Sequence, residues 1–291
     1  MKRTDKITTY GFFNVNKPSG IVSSTVVNKL KWLTGVPCGH MGTLDPLASG
    51  VLPVGVGNAT RLFDYFLNKE KEYIAEFTFG VDSDTLDSTG NLVYGGHVPN
   101  ETEISSVLPT FFGDVMQVPP KYSAKNVNGR RGYDLARAGI DFELPPKKVH
   151  IYGMELLGRV KGKEDTFRIK IRCGGGTYIR SLARDIALAT GSLGVMSKLT
   201  RTACGVFNMQ NGVTPQELFN ATNPERYLIK ADSVINFEKL NLTKVQAQKI
   251  LDGVYENYGF SDGIYRVYNQ GEFIGVGTVN DGILRINSYV R

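Results

Sequence analysis

The sequence predicts an α+β protein, and three observations support this. Apolar and polar residues alternate along several segments, most clearly 69–80 and 166–172, which is the period of a half-buried strand. Between them apolar residues recur at helical spacing, as at Val26, Val27, Leu30 and Leu33. Beyond about Asp232 the chain changes character, and short strands recur with hairpin signals between them. Strand alternation of this kind supports the α+β class and no narrower one.

Residues 11–16 alternate and predict a strand, closed by the turn Lys17-Pro18-Ser19-Gly20. Ser23 or Ser24 is placed to cap the helix that Gly35 and Pro37 end. Residues 51–54 predict a buried strand, and 58–67 an amphipathic helix capped by Asn58. Along the next strand Tyr73, Ala75, Phe77 and Phe79 share one face, with Ile74, Glu76 and Thr78 on the other. Asp82, Asp84 and Asp87 then crowd a short loop. Their spacing lacks the glycine and distal glutamate of a calcium-binding EF-hand, so an Asx-turn loop is expected.

Residues 101–112 are helical in pattern. Pro119-Pro120 and Pro145-Pro146 bracket an excursion from the main sheet, with a short basic helix over 130–138 displaying Arg130, Arg131 and Arg137. Strands at 149–152 and 166–172 lead to Gly174-Gly175-Gly176 and a helix over 178–187. Strand, glycine loop and helix can cradle phosphate. This one lacks the Lys-Ser/Thr of a Walker loop and the G-x-G-x-x-G order, which argues against a nucleotide cofactor. Residues 199–201 and 205–207 suggest a strand pair, 211–229 a linker with a helical patch at 215–219, and 240–251 a helix. Strands at 263–268, 273–277 and 283–286 are separated by Asn269-Gln270-Gly271 and Asn280-Asp281-Gly282, which predicts a small β-barrel. The expected division is a main domain over 1–230, with the excursion at about 119–148, and a C-terminal module over 231–291.

Composition narrows the function classes. With 41% hydrophobic and 21% charged residues in 291, the chain reads as a soluble globular protein. No apolar window suits a signal peptide or a membrane helix, so no membrane partner and a cytoplasmic location are expected. Cys38, Cys173 and Cys204 are odd in number and scattered, against a disulfide framework. Neither they nor His40, His97 and His150 have metal-ligand spacing, so no metal is expected. The net charge is +6; residues 119–148 sum to +4, 159–184 to +6, and the rest to −4. Basic charge gathered into two segments that also carry tyrosine and glycine is the footprint of a nucleic-acid binder.

The stretch from Gly39 to Pro53, GHMGTLDPLASGVLP, holds one carboxylate in a glycine-rich loop. Pro46 disfavours the α conformation at Asp45 and holds it extended. By itself an Asp-Pro is an ordinary turn signal. Four segments in order change that reading: Asn16-Lys17-Pro18-Ser19-Gly20, the Gly39–Pro53 loop, Lys71-Glu72-Tyr73-Ile74-Ala75, and Gly176-Thr177-Tyr178-Ile179-Arg180. Together they resemble the bacterial TruB-type tRNA pseudouridine synthases, from about residue 11 to 207 and more weakly through the C-terminal segment. The basic excursion, with Tyr122-Ser123-Ala124-Lys125 and residues 133–139, is similar to the family's RNA-gripping thumb. Gly174-Gly175 departs from the family's usual serine followed by a lysine or other polar residue, which puts one phosphate contact in doubt.

The resemblance implies a pseudouridine synthase fold: a mixed, mostly antiparallel sheet flanked by helices, a thumb insert and a small PUA-like C-terminal β module. It implies conversion of uridine 55 in the tRNA T loop, without a cofactor, since the reaction exchanges a glycosidic C–N bond for a C–C bond with no redox change. Asp45 would be the nucleophile, attacking either ribose C1′ or base C6. Arg180 would pair with it and keep it ionised. Tyr73 would stack on the base and is the candidate for proton transfer, with Tyr178 and Leu199 walling the pocket. The uridine must be flipped out to react, and His40 would help fill the vacated stack. Lys17 would hold phosphate, as would Lys121, Lys125, Arg130, Arg131 and Arg137 of the thumb. A monomer acting on the T arm is expected. No guide RNA is expected, because guide-dependent relatives of the dyskerin kind resemble the family without this thumb. The alternative is an RNA-binding protein assisting tRNA folding, its catalysis secondary or lost. A generic glycosidase would need two partnered carboxylates, and only Asp45 has a plausible site.

Overall fold

The computed structural model describes residues 10–67, 69–123, 126–127 and 129–290. The chain opens with β1 (Gly11–Lys17), α1 (Ser23–Thr34), β2 (Cys38–His40), β3 (Ser49–Val56) and α2 (Asp64–Leu67). Next come β4 (Lys71–Phe79), β5 (Val81–Ser83), β6 (Leu92–Tyr94), α3 (Glu101–Val107) and β7 (Gly113–Gln117). The excursion contributes β8 (Asn126–Val127), β9 (Arg130–Arg131) and α4 (Gly132–Arg137), before β10 (Lys147–Arg159) and β11 (Thr166–Cys173). Then follow α5 (Ile179–Ala189), β12 (Gly194–Cys204), β13 (Phe207–Asn208), α6 (Pro215–Asn220) and β14 (Ile229–Lys230). The last elements are β15 (Glu238–Leu242), α7 (Lys244–Leu251), β16 (Gly263–Asn269), β17 (Glu272–Asn280) and β18 (Ile283–Tyr289).

These elements form two compact units. One takes residues up to Asp45, Val51–Leu67 and Val206 onward; the other takes Pro46–Gly50 and Asn68–Gly205. In the first unit β1 lies between β3 and β14, and β2 pairs antiparallel with the far end of β3. Phe12, Phe66 and Phe207 pack there with ring centroids 5.0 to 5.9 Å apart, all of them buried. Tilted aromatic packing of this kind adds about 0.5–1.5 kcal/mol per pair beyond the area buried. A separate sheet, β15-β16-β17-β18, has a core that includes Leu240, Ile250, Val267, Val279 and Leu284. Its two tight turns have both central residues at positive φ, Gln270-Gly271 at 50° and 82° and Asp281-Gly282 at 52° and 75°. That is the hairpin geometry expected of these dipeptides.

In the second unit the strand order is β12-β4-β11-β10-β7, antiparallel at every step. Ser49 and Gly50 add a short parallel pairing to Thr200 and Arg201, which makes the arrangement mixed. The face of β4 carrying Tyr73, Ala75, Phe77 and Phe79 is buried, as its alternation requires. Helix α5 lies against β12 and β4 through Ile179, Leu182, Ala183, Ile186 and Ala187, one face at i, i+3, i+4 spacing. Gly50 sits at φ +101°, and a Cβ there would lie 2.2 Å from the Arg201 carbonyl oxygen. Gly50→Ala is therefore expected to lower stability by roughly 2–4 kcal/mol, from strained backbone plus overpacking. Denaturant unfolding of the two proteins measures this.

Several local expectations change. The N-cap of α1 is Val22, whose side chain cannot cap, and Ser23 is instead the first helical residue, with its hydroxyl bonded to the Leu44 carbonyl. Residues 57–62 form a 3-10 turn ahead of the single turn α2, in place of one helix capped by Asn58. Residues 240–242 are strand, because Thr243 and Gln246 form a capping box that starts α7 there. The segment 211–229 holds α6, capped by Thr214 and Glu217, and runs into β14, which pairs with β1.

Candidate active site

The expected site residues fall in both units. In the first, β2 and β3 form the base of the Asp45 loop: His40 pairs with Val54, and the Met41 amide donates to the Pro53 carbonyl at 2.8 Å. Met41 and Leu44 point into the core, while Asp45 and His40 are half-buried. The Ser23 hydroxyl donates to the Leu44 carbonyl at 2.8 Å and accepts from the Leu44 amide at 3.0 Å. Lys17, expected at a phosphate, is instead 1% exposed, and its ammonium donates to the carbonyls of Pro18 (3.0 Å) and Ile21 (2.8 Å). It braces the turn formed by its own motif. An ammonium buried on carbonyls is not available to an incoming phosphate, so that expectation is corrected.

In the second unit Tyr73 stands opposite Arg201, and Ala75 opposite Leu199, on adjacent strands. Directly paired residues project to the same side, so Tyr73, Leu199 and Arg201 share one face. Arg201 is only 1% exposed and forms a side-chain hydrogen bond with Tyr73. Burial pushes the Tyr73 phenol well above its ordinary value of 10, outweighing the opposing pull of Arg201. Tyr73 is thus a neutral phenol across the physiological range. Stability from a raised acid is complete below the unfolded value and is lost as pH rises through the folded one. The wild-type thermal midpoint should accordingly fall more between pH 9 and pH 11 than that of Tyr73→Phe.

Arg180 occupies the first turn of α5 and is 7% exposed. Its guanidinium donates to the carbonyls of Thr85 and Tyr122, both at 3.1 Å, and lies 3.6 Å from the Asp87 carboxylate. Asp87 is held in turn by the Thr89 amide at 3.0 Å and the Thr85 hydroxyl at 2.9 Å. The expected Asx turn is formed at Asp87, whose carboxylate accepts from the Thr89 amide two residues on, while Asp82 accepts from the adjacent Ser83 amide and Asp84 from the Asn91 amide. Beyond that expectation, Asp87 also serves as an ion-pair partner. Tyr178 is half-buried just before α5, where Gln117 holds its backbone at two points, Tyr178 N–H to Oε1 at 2.8 Å and Nε2–H to the Tyr178 carbonyl at 3.1 Å. Ser181 and Arg184 both donate to the Val118 carbonyl. The root of the excursion is therefore stitched to the helix that carries Arg180.

The excursion leaves β7 and returns on its antiparallel neighbour β10, with Gln117 paired to Lys147. Arg130 and Arg137 are exposed, Arg137 lies over the Tyr133 ring, and Lys121 pairs with Asp141. Lys125 lies outside the described residues, and for Arg131 only the backbone is described. The second basic segment is arranged differently from expectation. On the face of β4 opposite Tyr73, Glu76 pairs with Arg168 and Glu72 with Lys170, and Glu70 pairs with Arg172. These cross-strand pairs neutralise much of the charge of 159–184, so the excursion carries the stronger claim to be the polyanion surface. Gln117 and Arg201 were not singled out by sequence, and Asp87 was read only as a residue of a turn, since Tyr178, Tyr73 and Arg180 are distant from them in the chain.

The fold is that of the pseudouridine synthases. The chain superimposes on a protein of the Cbf5–Nop10–Gar1 complex structure with a TM-score of 0.72 at 23% identity, covering 97% of this chain and 85% of that one. The N-terminal-domain model of the TruB family pseudouridylate synthases matches residues 31–179, and the pseudouridine synthase II TruB C-terminal model matches residues 239–286. The chain is 38% identical to the tRNA pseudouridine synthase B of Caldanaerobacter subterraneus subsp. tengcongensis, over 94% of this chain and 97% of that one. It is 36% identical to the protein of the same name from Aquifex aeolicus, with the same coverage. The chain belongs to the TruB family of pseudouridylate synthases.

Proposed function

We propose that this enzyme isomerises uridine to pseudouridine in tRNA, at position 55 of the T loop, with Asp45 as nucleophile and no guide RNA. Relatives named tRNA pseudouridine synthase B, similar along nearly the full chain, carry the assignment to tRNA. In the reaction the C1′–N1 bond breaks and a C1′–C5 bond forms, N1 gains a proton and C5 loses one. A carboxylate fixed by its backbone can form and release the covalent adduct this rearrangement needs. Arg180 is the cationic partner of the Asp45 carboxylate in this reading, and it aims that carboxylate. The neutral Tyr73 phenol stacks on the base and offers a hydrogen bond, with Arg201 behind it; it does not rest as a phenolate. Tyr178 and Leu199 wall the base, and His40 fills the place of the flipped uridine, whose extraction costs a few kcal/mol. Residues 1–230 form the catalytic domain and 231–291 a PUA-like module, acting as a monomer.

The test is pseudouridine formation on an unmodified T-arm stem-loop. Product without any added guide RNA is the expected result. Tight binding without product would favour a tRNA-folding role. For the thumb, the triple variant Lys125/Arg130/Arg131→Ala should bind the stem-loop with a salt dependence shallower by about 2 to 3 in the slope of log K against log salt, near 0.7–0.9 per lost phosphate contact. An unchanged slope would remove these residues from the RNA surface.

A further inference from the structure

We infer that Ser23 is a positioning residue for catalysis: its hydroxyl fixes the peptide plane from which Asp45 projects. Ser23 is fully buried at 0% exposure, yet it does not cap the helix it begins. Its oxygen bonds instead to both backbone groups of Leu44, donating to the carbonyl at 2.8 Å and accepting from the amide at 3.0 Å, across 21 residues of sequence.

The Leu44 carbonyl belongs to the peptide bond that enters Asp45. Because that bond is planar, holding its oxygen fixes the orientation of the plane and so the direction in which the Asp45 Cα is presented. On the other side Pro46 confines Asp45 to extended backbone. Leu44 itself is buried, so its side chain gives the same stretch a third anchor. The nucleophile is therefore held from before and after, while its own side chain is half-buried. A hydroxyl that both donates and accepts is the smallest group able to do this from one position. Rates are steeply sensitive to such placement, and about 1 Å of displacement can lower turnover about 100-fold.

The inference rests on Asp45 being the nucleophile. The test compares Ser23→Ala, Ser23→Cys and Ser23→Thr with wild type and Asp45→Asn, on the T-arm stem-loop. Turnover under saturating RNA, the dissociation constant for the RNA and the thermal midpoint are each measured. Ser23→Ala and the near-isosteric Ser23→Cys are expected to lose about 100-fold in turnover, with RNA affinity within about threefold of wild type. Ser23→Thr, which keeps the hydroxyl, should recover most of the rate. Wild-type turnover in Ser23→Cys would overturn the inference. So would a loss that only follows the fraction of protein unfolded at the assay temperature. Wild-type turnover in Asp45→Asn would overturn the nucleophile reading itself, separately from the role of Ser23.

Discussion

Asp45→Asn is expected to lower pseudouridine formation by about 10⁴-fold or more, the scale seen when an enzyme loses its nucleophile. The carboxamide has nearly the same shape, but it lacks the charge and the electron pair needed to form an adduct. The loop should survive the change. Its base is the β2–β3 pairing, its apolar anchors are Met41 and Leu44, and its backbone clamp is Ser23, none of which uses the Asp45 carboxylate. Binding of the stem-loop should stay within about threefold of wild type, because phosphate contacts dominate affinity for nucleic acid. Single-turnover product formation and equilibrium binding, measured on the same preparation, separate these two effects. Product at the wild-type rate would remove Asp45 from the chemistry.

The Asp45 loop was legible in the sequence because its features are local: a proline after the carboxylate, glycines around it, and a strand on its far side. The same holds for the buried face of β4, for the hairpins at Gln270-Gly271 and Asp281-Gly282, and for the excursion marked by paired prolines. Features set by distant partners were not legible. Lys17 looks like a phosphate ligand until its turn folds back and its ammonium meets two carbonyls. Residues 159–184 look like a polyanion surface until β11 is set beside β4, whose glutamates face Arg168 and Lys170. Ser23 looks like a helix cap, because serine before an apolar run at helical spacing is a cap signal. Its hydroxyl is taken by Leu44 because the loop returns over the start of α1. In each case local chemistry named a competent group, and tertiary pairing decided its use.

Arg180→Met is expected to lose both stability and catalysis, and a second substitution should separate the two losses. The guanidinium holds two carbonyls and faces the Asp87 carboxylate at 3.6 Å, with both side chains 8% exposed. Removing it leaves a buried carboxylate without its charge partner, a change that costs roughly 3–5 kcal/mol. Arg180→Lys would not repair this, because an ammonium is a single point and cannot reach Thr85, Tyr122 and Asp87 in the planar fork that arginine provides. Turnover should fall by about 10² to 10³, as when one preorganised electrostatic contact is removed from an active site. In the double variant Arg180→Met/Asp87→Asn the orphaned charge is gone, while the carboxamide that replaces it still offers an oxygen to the Thr89 amide. The unfolding free energy should therefore recover much of the loss, with turnover remaining at the level of the single variant. If turnover recovered along with stability, Arg180 would be only a structural tie between α5 and the acidic loop. If neither recovered, its carbonyl bonds to Thr85 and Tyr122 would be what the fold needs most.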